Sequence, residues 1–296
     1  MGTHSFVRIT IQICYMAGIL MLANNMMAQP KSRTVYAPSP RKNANSITVI
    51  DTAYWRISYA FNADTIHDLS TYIDCQCLEI GNSTSKYYSR FLNDSDSLVT
   101  LWLKEHPKAG SLPRWLGEKG KNASYWTEYQ YSEIFRSKDK YTVYVRMPAF
   151  LKRYDCYYVE KIPQQEWQLY SETLEVCGFV CQKAICFFRG REFVAWFTTE
   201  IPLSEGPWVF GGLPGLIIKL YDKDRLYVFE CIQIEQGKFP IKKYCDYKNY
   251  KKMSRHKVLD LQRKINENYF RVAHLRNAYT KQPVSRFTPY EPLELE

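Results

Sequence analysis

The segment WRISYAF at residues 55–61 alternates large apolar side chains with Arg56, Ser58 and the small Ala60. Residues 140–147, KYTVYVRM, repeat the alternation. Successive side chains of a β-strand point to opposite faces, so a period of two predicts a strand that is buried on one face. Further strands, separated by turn residues, are predicted at residues 75–80, 85–91, 131–137, 154–161, 167–179, 181–188, 192–199, 216–221 and 225–234.

Two segments have helical features instead. Residues 95–105 follow Asn93-Asp94-Ser95 and end before Pro107, which favours a short helix. Residues 254–276 begin with Ser254, a good capping residue, and carry an apolar stripe at helical spacing. The stripe consists of Val258, Leu261, Ile265, Tyr269 and Val272. It predicts a helix that packs on the sheet.

These segments predict a mainly β fold. We expect a single domain at residues 46–277, built as a curved antiparallel sheet or open barrel with one or two packed helices, the C-terminal one at about 254–276. About 220 strand-rich residues can form one such domain. Residues 29–45, rich in Pro, Ser, Asn and cations, predict a flexible lead-in, and residues 278–296 predict a loosely ordered C-terminal tail.

The N-terminus has the features of an export signal. Residues 1–28 contain one cation, Arg8, and no acidic residue, and an apolar run from Ile9 to Ala23 precedes the small Ala28. This order is typical of a secretory signal peptide at residues 1–28, whose removal would leave the protein in the periplasm or at the cell surface. The alternative is an uncleaved membrane anchor, but the run is shorter than the roughly 20 residues that span a bilayer.

Nine cysteines are present, and Cys14 lies in the apolar run. Cys177 and Cys181 in one extended strand would lie about 13 Å apart, too far for a bridge. Bridges are therefore predicted to connect different strands, and the alternative that the cysteines are buried thiols stays open. The candidate disulfide or thiol residues are Cys75, Cys77, Cys156, Cys177, Cys181, Cys186, Cys231 and Cys245.

Positive charge is concentrated near the C-terminus. The formal net charge is +10, and residues 238–281 contain 13 Lys and Arg against three acidic residues. This basic segment could make peripheral contact with anionic surfaces, or it could be the solvated face of one helix. Export and the lack of a zinc-finger or helix-turn-helix pattern argue against nucleic acid as a partner.

The most distinctive segment is GGLPGLI at residues 211–217. Together with several shorter segments it resembles the GLPGLI family, exported proteins of Bacteroides-like bacteria. The resemblance extends over about residues 50–275, but the family has no established activity, so it implies none. The other segments that carry it are LEIG at 78–81, SKYYS at 85–89, GFVCQKA at 178–184, RGR at 189–191, AWFT at 195–198, EIP at 200–202 and Gly206-Pro207.

The GGLPGLI segment also has a physical interpretation. Pro214 fixes φ near −65° and Gly215 can supply the positive φ of a type II turn, with apolar residues on both sides. We therefore predict a tight, buried turn that leads into a strand buried on both faces. The alternative is that the glycine backbone lets a ligand approach closely. The residues concerned are Gly211, Gly212, Leu213, Pro214, Gly215, Leu216 and Ile217.

Standard catalytic and cofactor signatures are missing from the sequence. There is no H-E-x-x-H, G-x-S-x-G, Walker A or dinucleotide motif, and no two histidines have metal-ligand spacing, so no metal site and no cofactor is predicted. Cys75 and Cys77 could form at most half of a metal site. Arg189 and Arg191 could bind an anion, although solvated charge is the commoner explanation at a hairpin tip. The candidate ligand-facing residues are Trp196, Trp208, Glu200 and Glu205, and the two glutamates are also a candidate acid and base.

Three functions remain open from the sequence. The leading hypothesis is a non-catalytic cell-envelope protein that binds an apolar or envelope-derived ligand, or an envelope protein partner. The alternative is an exported hydrolase that acts on glycan or peptide with carboxylates from residues 196–207. A third hypothesis is a metal-responsive protein that uses the cysteines.

Overall fold

A computed structural model describes residues 35–296 except 39, 111 and 113–124. The predicted signal peptide and residues 29–34 and 39 of the predicted lead-in lie outside the described residues. Within the described part of the chain, no helix combines the length and the apolar character needed to cross a membrane.

One large sheet dominates the fold. Twelve strands pair in the spatial order β14-β8-β7-β6-β4-β3-β2-β13-β12-β11-β10-β9, and all pairs are antiparallel except β14 with β8. β1 and β5 form a separate two-stranded sheet. The strands are β1 (Val35–Tyr36), β2 (Ile47–Phe61), β3 (Asp74–Gly81), β4 (Ser85–Ser89), β5 (Tyr125–Trp126), β6 (Ser132–Ser137), β7 (Lys140–Val145), β8 (Cys156–Lys161), β9 (Gln168–Val176), β10 (Phe179–Phe188), β11 (Arg191–Thr198), β12 (Leu216–Asp222), β13 (Val228–Tyr244) and β14 (Lys251–Lys252).

The predicted mainly β class with an open sheet is confirmed. The two central strands, β2 and β13, have 15 and 17 residues, and their pairing contains three register shifts. Such bulges bend a strand and increase its twist, so they give this sheet its curvature. β13 runs on to Tyr244, ten residues beyond the predicted end, because β2 offers a pairing partner along its whole length.

Two α-helices pack beside the sheet. α1 (Arg90–Glu105) begins before the predicted residue 95, because Ser89 Oγ accepts a hydrogen bond from Leu92 N at 3.0 Å and caps it there. α2 (Arg255–Val272) agrees closely with the predicted helix at 254–276, and Ser254 occupies its N-cap position. Val258, Ile265 and Tyr269 are buried, as the apolar stripe predicts.

Parts of the predicted lead-in and tail pack against the rest of the chain. In the lead-in, Lys42 is buried, and its Nζ lies 4.3–4.9 Å from the ring centroids of Tyr244, Tyr247 and Tyr250. In the tail, Leu293 and Glu294 are buried. A flexible lead-in and a loosely ordered tail stay predictions for the segments as wholes, while these residues have buried contacts. Their partners lie far away in the sequence, where composition alone gives no signal.

The replacement Asp155→Asn is predicted to stabilise the protein at pH 7 but not at pH 4. Burial raises the pKa of Asp155 to about 6, while its Oδ1 accepts a hydrogen bond from Met147 N at 2.8 Å. Between pH 4 and 6 the unfolded chain loses this proton before the folded chain does, so the residue reduces stability as the pH rises. Asparagine keeps the acceptor without the charge, and we expect a gain of about 1 to 2 kcal/mol at pH 7 in urea unfolding. An equal effect at pH 4 and pH 7 would contradict this explanation.

Candidate ligand-binding groove

A groove of about 630 Å³ runs between α2 and the part of the sheet formed by β6, β7 and β8. The sheet side contributes Val143, Val145 and Tyr158, and Trp208 also lines the groove. α2 contributes polar residues such as Gln262 and Arg263. The remaining wall is formed by residues 290–296 of the chain itself, which we call segment 290–296. The groove thus combines apolar surface with a polar rim, as ligand-binding sites do.

Two hydrogen-bond donors, Trp208 and Arg255, and the nearby guanidinium of Arg189 hold the side chain of Glu294. Its Oε2 lies 2.7 Å from Arg189 Nη1 and 2.7 Å from Arg255 Nη1. Its Oε1 accepts a hydrogen bond from Trp208 Nε1 at 2.9 Å. Glu294 is 7% exposed, so these charge-assisted bonds operate largely out of water, where such pairs are strong.

A second set of contacts holds Glu291 and Pro292. Arg191 Nη2 lies 2.6 Å from Glu291 Oε1. The same guanidinium donates two hydrogen bonds to Pro292 O, from Nε at 3.1 Å and from Nη2 at 2.7 Å. The hydroxyl of Tyr227 donates to Glu291 O. The guanidinium of Arg191 therefore binds both a side chain and the backbone of segment 290–296.

The rest of segment 290–296 is held by the backbone and by packing. Leu295 N donates to Arg189 O at 3.0 Å. Leu293 is 3% exposed and belongs to the main hydrophobic core. Tyr290 donates a hydrogen bond to Glu128 Oε1. The acidic and apolar segment 290–296, which forms one wall of the groove, is thus held in place by charges, backbone hydrogen bonds and one buried leucine.

Arg189 and Arg191 owe their positions to the β10–β11 hairpin. Arg189 and Gly190 form its turn with φ of +46° and +82°, and Leu295 packs on Gly190 because that residue has no side chain. The interpretation of these arginines as solvated charges is wrong, because both are largely buried and bind carboxylates. Burial lowers the pKa of Arg189, but Glu294 and Tyr141 more than offset this, so its pKa is raised.

Sequence reasoning did not single out Arg255, Glu291 and Glu294 as candidate site residues. The available signal was the acidic and apolar end of the chain, YEPLELE at 290–296, together with the excess of Lys and Arg before it. That signal does not say which cation binds which carboxylate. Only the return of the chain to the β10–β11 hairpin pairs them.

Glu128 lies on the floor of the groove. It is 4% exposed, and burial raises the pKa of its carboxyl group. Asn266 Nδ2 donates to its Oε2 at 2.9 Å, and Tyr290 donates to its Oε1. Both oxygens are therefore occupied within the protein, one of them by Tyr290 of segment 290–296.

The GGLPGLI segment is a structural corner that differs from the predicted turn. Gly215 does not have a positive φ, whereas Gly212 does, at +83°. Gly215 is instead required for space, because a Cβ at that position would lie 2.0 Å from Thr198 O. Leu213, Leu216 and Ile217 are buried, and β12 is buried on both faces at its start, as predicted. Gly212 and Pro214 are exposed.

A second cleft of about 590 Å³ lies beside Gly211 and Gly212. It is mainly polar and includes Glu205, whose Oε2 lies 2.6 Å from Arg136 Nη1. Burial raises the pKa of Glu205. Arg136 Nη2 also donates to Val209 O at 3.1 Å, so the ion pair fixes the GGLPGLI corner. Gly211 O accepts a further hydrogen bond from Trp167 Nε1 at 2.8 Å.

The four candidate ligand-facing residues are not brought together. Trp208 lines the groove, and Glu205 lines the second cleft. Glu200 is exposed in the turn after β11, and Trp196 is half-buried on β11 with its Nε1 3.5 Å from Tyr221 OH. Neither residue lines the groove or the cleft. Glu200 and Glu205 are therefore not a pair facing one cavity.

The eight cysteines within the described residues are free thiols. Six are buried, Cys177 is exposed and Cys245 is intermediate. In the part of the chain that the structure describes, no group of three His, Cys, Asp or Glu could hold a metal ion. Cys75 and Cys77 are both buried in β3, where burial raises the pKa of each thiol to about 12.

Comparison with known proteins adds a partial family match. A family model described as "Protein of unknown function (Porph_ging)" matches residues 188–219, which include Arg189, Arg191 and Trp208. No curated protein matches the chain. Two crystal forms of PNGF-II, in space groups P21 and C2, resemble the structure with a TM-score of 0.44 and 13% identity. The match covers 74% of this chain and 34% of PNGF-II, so the chain spans about a third of the length of that protein.

Proposed function

We propose that this chain is an exported cell-envelope protein that binds, without catalysis, an extended acidic and apolar segment of an envelope protein partner. The binding site is the groove, and the periplasm or the cell surface is the location. The observation that supports this proposal is the way the protein holds segment 290–296 at the side of the groove, by Arg189 and Arg255 on Glu294 and by Arg191 on Glu291 and Pro292.

These contacts suit a peptide better than a small apolar molecule. Two of them, Arg191 to Pro292 O and Leu295 N to Arg189 O, recognise the backbone of an extended chain. The others select a glutamate at two positions three residues apart, with a buried leucine between them. Guanidinium groups suit this task because their planar donors match carboxylate and carbonyl oxygens.

Segment 290–296 competes with any partner for the groove. Because it is part of the same chain, its effective concentration is of the order of millimolar. A partner must displace segment 290–296 before it can bind, so its affinity for the parent protein is low. Its affinity is higher when segment 290–296 is released. The experiment therefore releases segment 290–296 and measures the binding of a peptide that replaces it.

We expect Glu294→Lys to release segment 290–296 and to open the groove to a peptide added in trans. Lysine cannot bind between Arg189 and Arg255, so hydrogen exchange at residues 290–296 should become fast. A fluorescent peptide with the sequence of residues 286–296, RFTPYEPLELE, should bind this variant at least about tenfold more tightly than the parent in fluorescence anisotropy. The same peptide with both recognised glutamates changed to lysine should not bind.

Two variants control the experiment. Glu296→Lys changes the charge of the same segment at an exposed position, and it should leave segment 290–296 bound and peptide affinity unchanged. Arg191→Ala added to Glu294→Lys should weaken the peptide again. If hydrogen exchange shows that segment 290–296 is released but the peptide does not bind, the groove is not a peptide site. Solvent extraction of the purified protein then tests for an apolar ligand in its place.

The alternative of a glycan or peptide hydrolase has one observation in its favour. Glu128 carries a raised pKa on the floor of the groove, where Asp260 and Glu267 also line the cavity. A carboxyl group whose pKa is raised is better suited to serve as a general acid. The peptide assay separates the two functions, because mass spectrometry recovers an intact peptide from a binding protein. Cleavage that is abolished by Glu128→Gln would establish the hydrolase instead.

We also propose membership of the GLPGLI family, which the partial family match and the GGLPGLI segment support. Contact of the basic segment 238–281 with anionic surfaces stays a prediction. Ten of its 13 cations lie on the end of β13, on β14 and on α2, and the other three are Lys248, Arg276 and Lys281. Lys238, Lys251, Lys252 and Arg263 are exposed, so they are available to such a surface.

A further inference from the structure

Tyrosines occupy every third position of the segment YCDYKNY at residues 244–250. A 3₁₀-helix covers Cys245–Asn249 in the structure. Such a helix has about three residues per turn, so side chains three positions apart lie on the same face. The local structure therefore brings the rings of Tyr244, Tyr247 and Tyr250 together. We call these three rings and the carboxylate of Asp246 the tyrosine cage.

Contacts with the rest of the fold hold the rings of the tyrosine cage. Tyr144 of β7 stacks on Tyr247, with 4.1 Å between the ring centroids. Tyr244 OH donates a hydrogen bond to Asp96 Oδ2 at 2.8 Å. Tyr247 and Tyr250 are 3% and 8% exposed. Because these contacts do not involve the cation in the cage, the fold itself positions the rings for a ligand.

The cation in the tyrosine cage is the ammonium group of Lys42. Its Nζ lies 4.9, 4.3 and 4.7 Å from the ring centroids of Tyr244, Tyr247 and Tyr250. It also donates a hydrogen bond to Asp246 Oδ1. A cation within about 6 Å of a ring centroid is attracted by the negative face of the ring. The cage therefore binds an ammonium group through three rings and one carboxylate.

Lys42 does not use all the bonding capacity of the tyrosine cage. The hydroxyl groups of Tyr247 and Tyr250 are buried, and neither has a hydrogen-bond partner in the part of the chain that the structure describes. Buried polar groups without a partner are rare in folded proteins. Burial also lowers the pKa of Lys42 to about 8, although Asp246 opposes this change. An ammonium group from solution thus competes with an occupant whose charged form is destabilised.

Two hydrogen bonds hold the chain around Lys42 to α1. Lys42 N donates to Asp96 Oδ1 at 3.3 Å, and Ala44 N donates to Thr100 Oγ1 at 2.9 Å. We expect both bonds to open more often when the side chain of Lys42 leaves the cage. Hydrogen exchange at these two amides therefore reports on the displacement of Lys42.

We propose that the tyrosine cage is a binding site for primary alkylammonium groups, the chemistry of a lysine side chain on a partner protein, and that Lys42 is its internal occupant. The lysine of the partner displaces Lys42 and takes over its contacts with the rings and with Asp246. Proteins use cages of aromatic rings to recognise ammonium groups in this way. The proposal is independent of the groove, because none of the described residues that line the groove belongs to the cage.

The first experiment uses Lys42→Ala, which empties the cage, and n-propylammonium chloride, whose cation replaces the missing part of the side chain. With a dissociation constant of about 10 mM, about 0.1 M of this salt should lower the unfolding constant of the variant about tenfold in urea unfolding. The reference is sodium chloride at the same concentration. The uncharged analogue 1-propanol should not stabilise the variant, because it lacks the cation that the rings attract.

Two further variants test which groups bind the ammonium ion. Asp246→Asn added to Lys42→Ala removes the carboxylate of the cage and should abolish most of the stabilisation. Lys251→Ala removes an exposed lysine of β14, and n-propylammonium should stabilise it no more than it stabilises the parent. Equal stabilisation of Lys42→Ala by n-propylammonium and by 1-propanol would overturn the proposal, because it would show a cavity that any small molecule fills.

The second experiment uses the parent protein and does not depend on the folding of a variant. Addition of n-propylammonium chloride should make hydrogen exchange at the amides of Lys42 and Ala44 at least about twofold faster than sodium chloride of the same ionic strength does. Exchange at Leu220, which is buried on β12, should not change. Unchanged exchange at Lys42 and Ala44 would overturn the proposal, because it would show that an external amine does not displace Lys42.

Discussion

Replacing Gly215 by alanine is expected to prevent the protein from folding to its native state. A Cβ at this position would lie 2.0 Å from Thr198 O and 2.7 Å from Thr198 C, which are backbone atoms of β11. Thr198 pairs with Leu216 at the start of β12, so neither strand can move without breaking the sheet. Leu216 and Ile217, both 0% exposed, would be displaced as well. We expect a loss of more than about 3 kcal/mol of unfolding free energy, the upper end for overpacking.

Gly178→Ala provides the matched control. Gly178 has a φ of +80°, but no atom lies within 4 Å of the position that its Cβ would occupy. Alanine there strains the backbone without a clash and should cost only about 1 kcal/mol. Urea unfolding followed by circular dichroism compares both variants with the parent. A Gly215→Ala protein as stable as Gly178→Ala would show that the GGLPGLI corner is not tightly packed.

Removing the cation of Arg146 is expected to have the second large effect. Arg146 is 2% exposed, and its Nη1 lies 2.7 Å from Asp96 Oδ2. Its Nη2 lies 3.8 Å from Glu133 Oε1. Arg146→Met keeps much of the volume but leaves the buried carboxylate of Asp96 without its cation. Breaking a buried ion pair in this way costs about 3 to 5 kcal/mol, which urea unfolding measures directly.

Two further variants separate the charge effect from the packing effect. Asp96→Asn combined with Arg146→Met removes the unpaired charge and keeps an acceptor for Tyr244 OH, which donates to Asp96 Oδ2 at 2.8 Å. The double variant should therefore be more stable than Arg146→Met alone. Lys264→Met breaks an exposed pair with Asp260 and should change stability by less than about 1 kcal/mol. If Arg146→Met changed stability as little as Lys264→Met, the buried ion pair of Arg146 with Asp96 would not stabilise the fold.

The alternation in the sequence predicted much of the sheet, because the period of two is a local property. Ile57, Tyr59 and Phe61 are all buried on β2, as their spacing requires. The stripe of α2 was predicted for the same reason, with a period of 3.6. The predicted start of α1 at residue 95 was wrong, because the hydroxyl of Ser89, six residues upstream, caps the helix. The other possible capping residues, Asn93, Asp94 and Ser95, lie inside the helix.

The candidate site was predicted only in part. Trp208 was selected and lines the groove, but Glu200 is exposed and Trp196 lies elsewhere. Arg189 and Arg191 were recognised as a possible anion site, yet their anions are the chain's own glutamates about a hundred residues later. The sequence predicts that Gly215 supplies a positive φ. The structure requires glycine for a different reason, because the backbone of Thr198 lies too close for any side chain at this position.

The sequence by itself determined the β class, the pairing of neighbouring strands into hairpins and the amphipathic C-terminal helix, because each depends on side chains close together in the chain. The tertiary structure alone decided that segment 290–296 forms a wall of the groove and that Lys42 lies among three tyrosines. The contact of Arg189 with Glu294 joins residues 105 positions apart, and that of Lys42 with Tyr247 joins residues 205 positions apart. Buried charged and apolar side chains need partners, but only the tertiary fold determines which partners they contact.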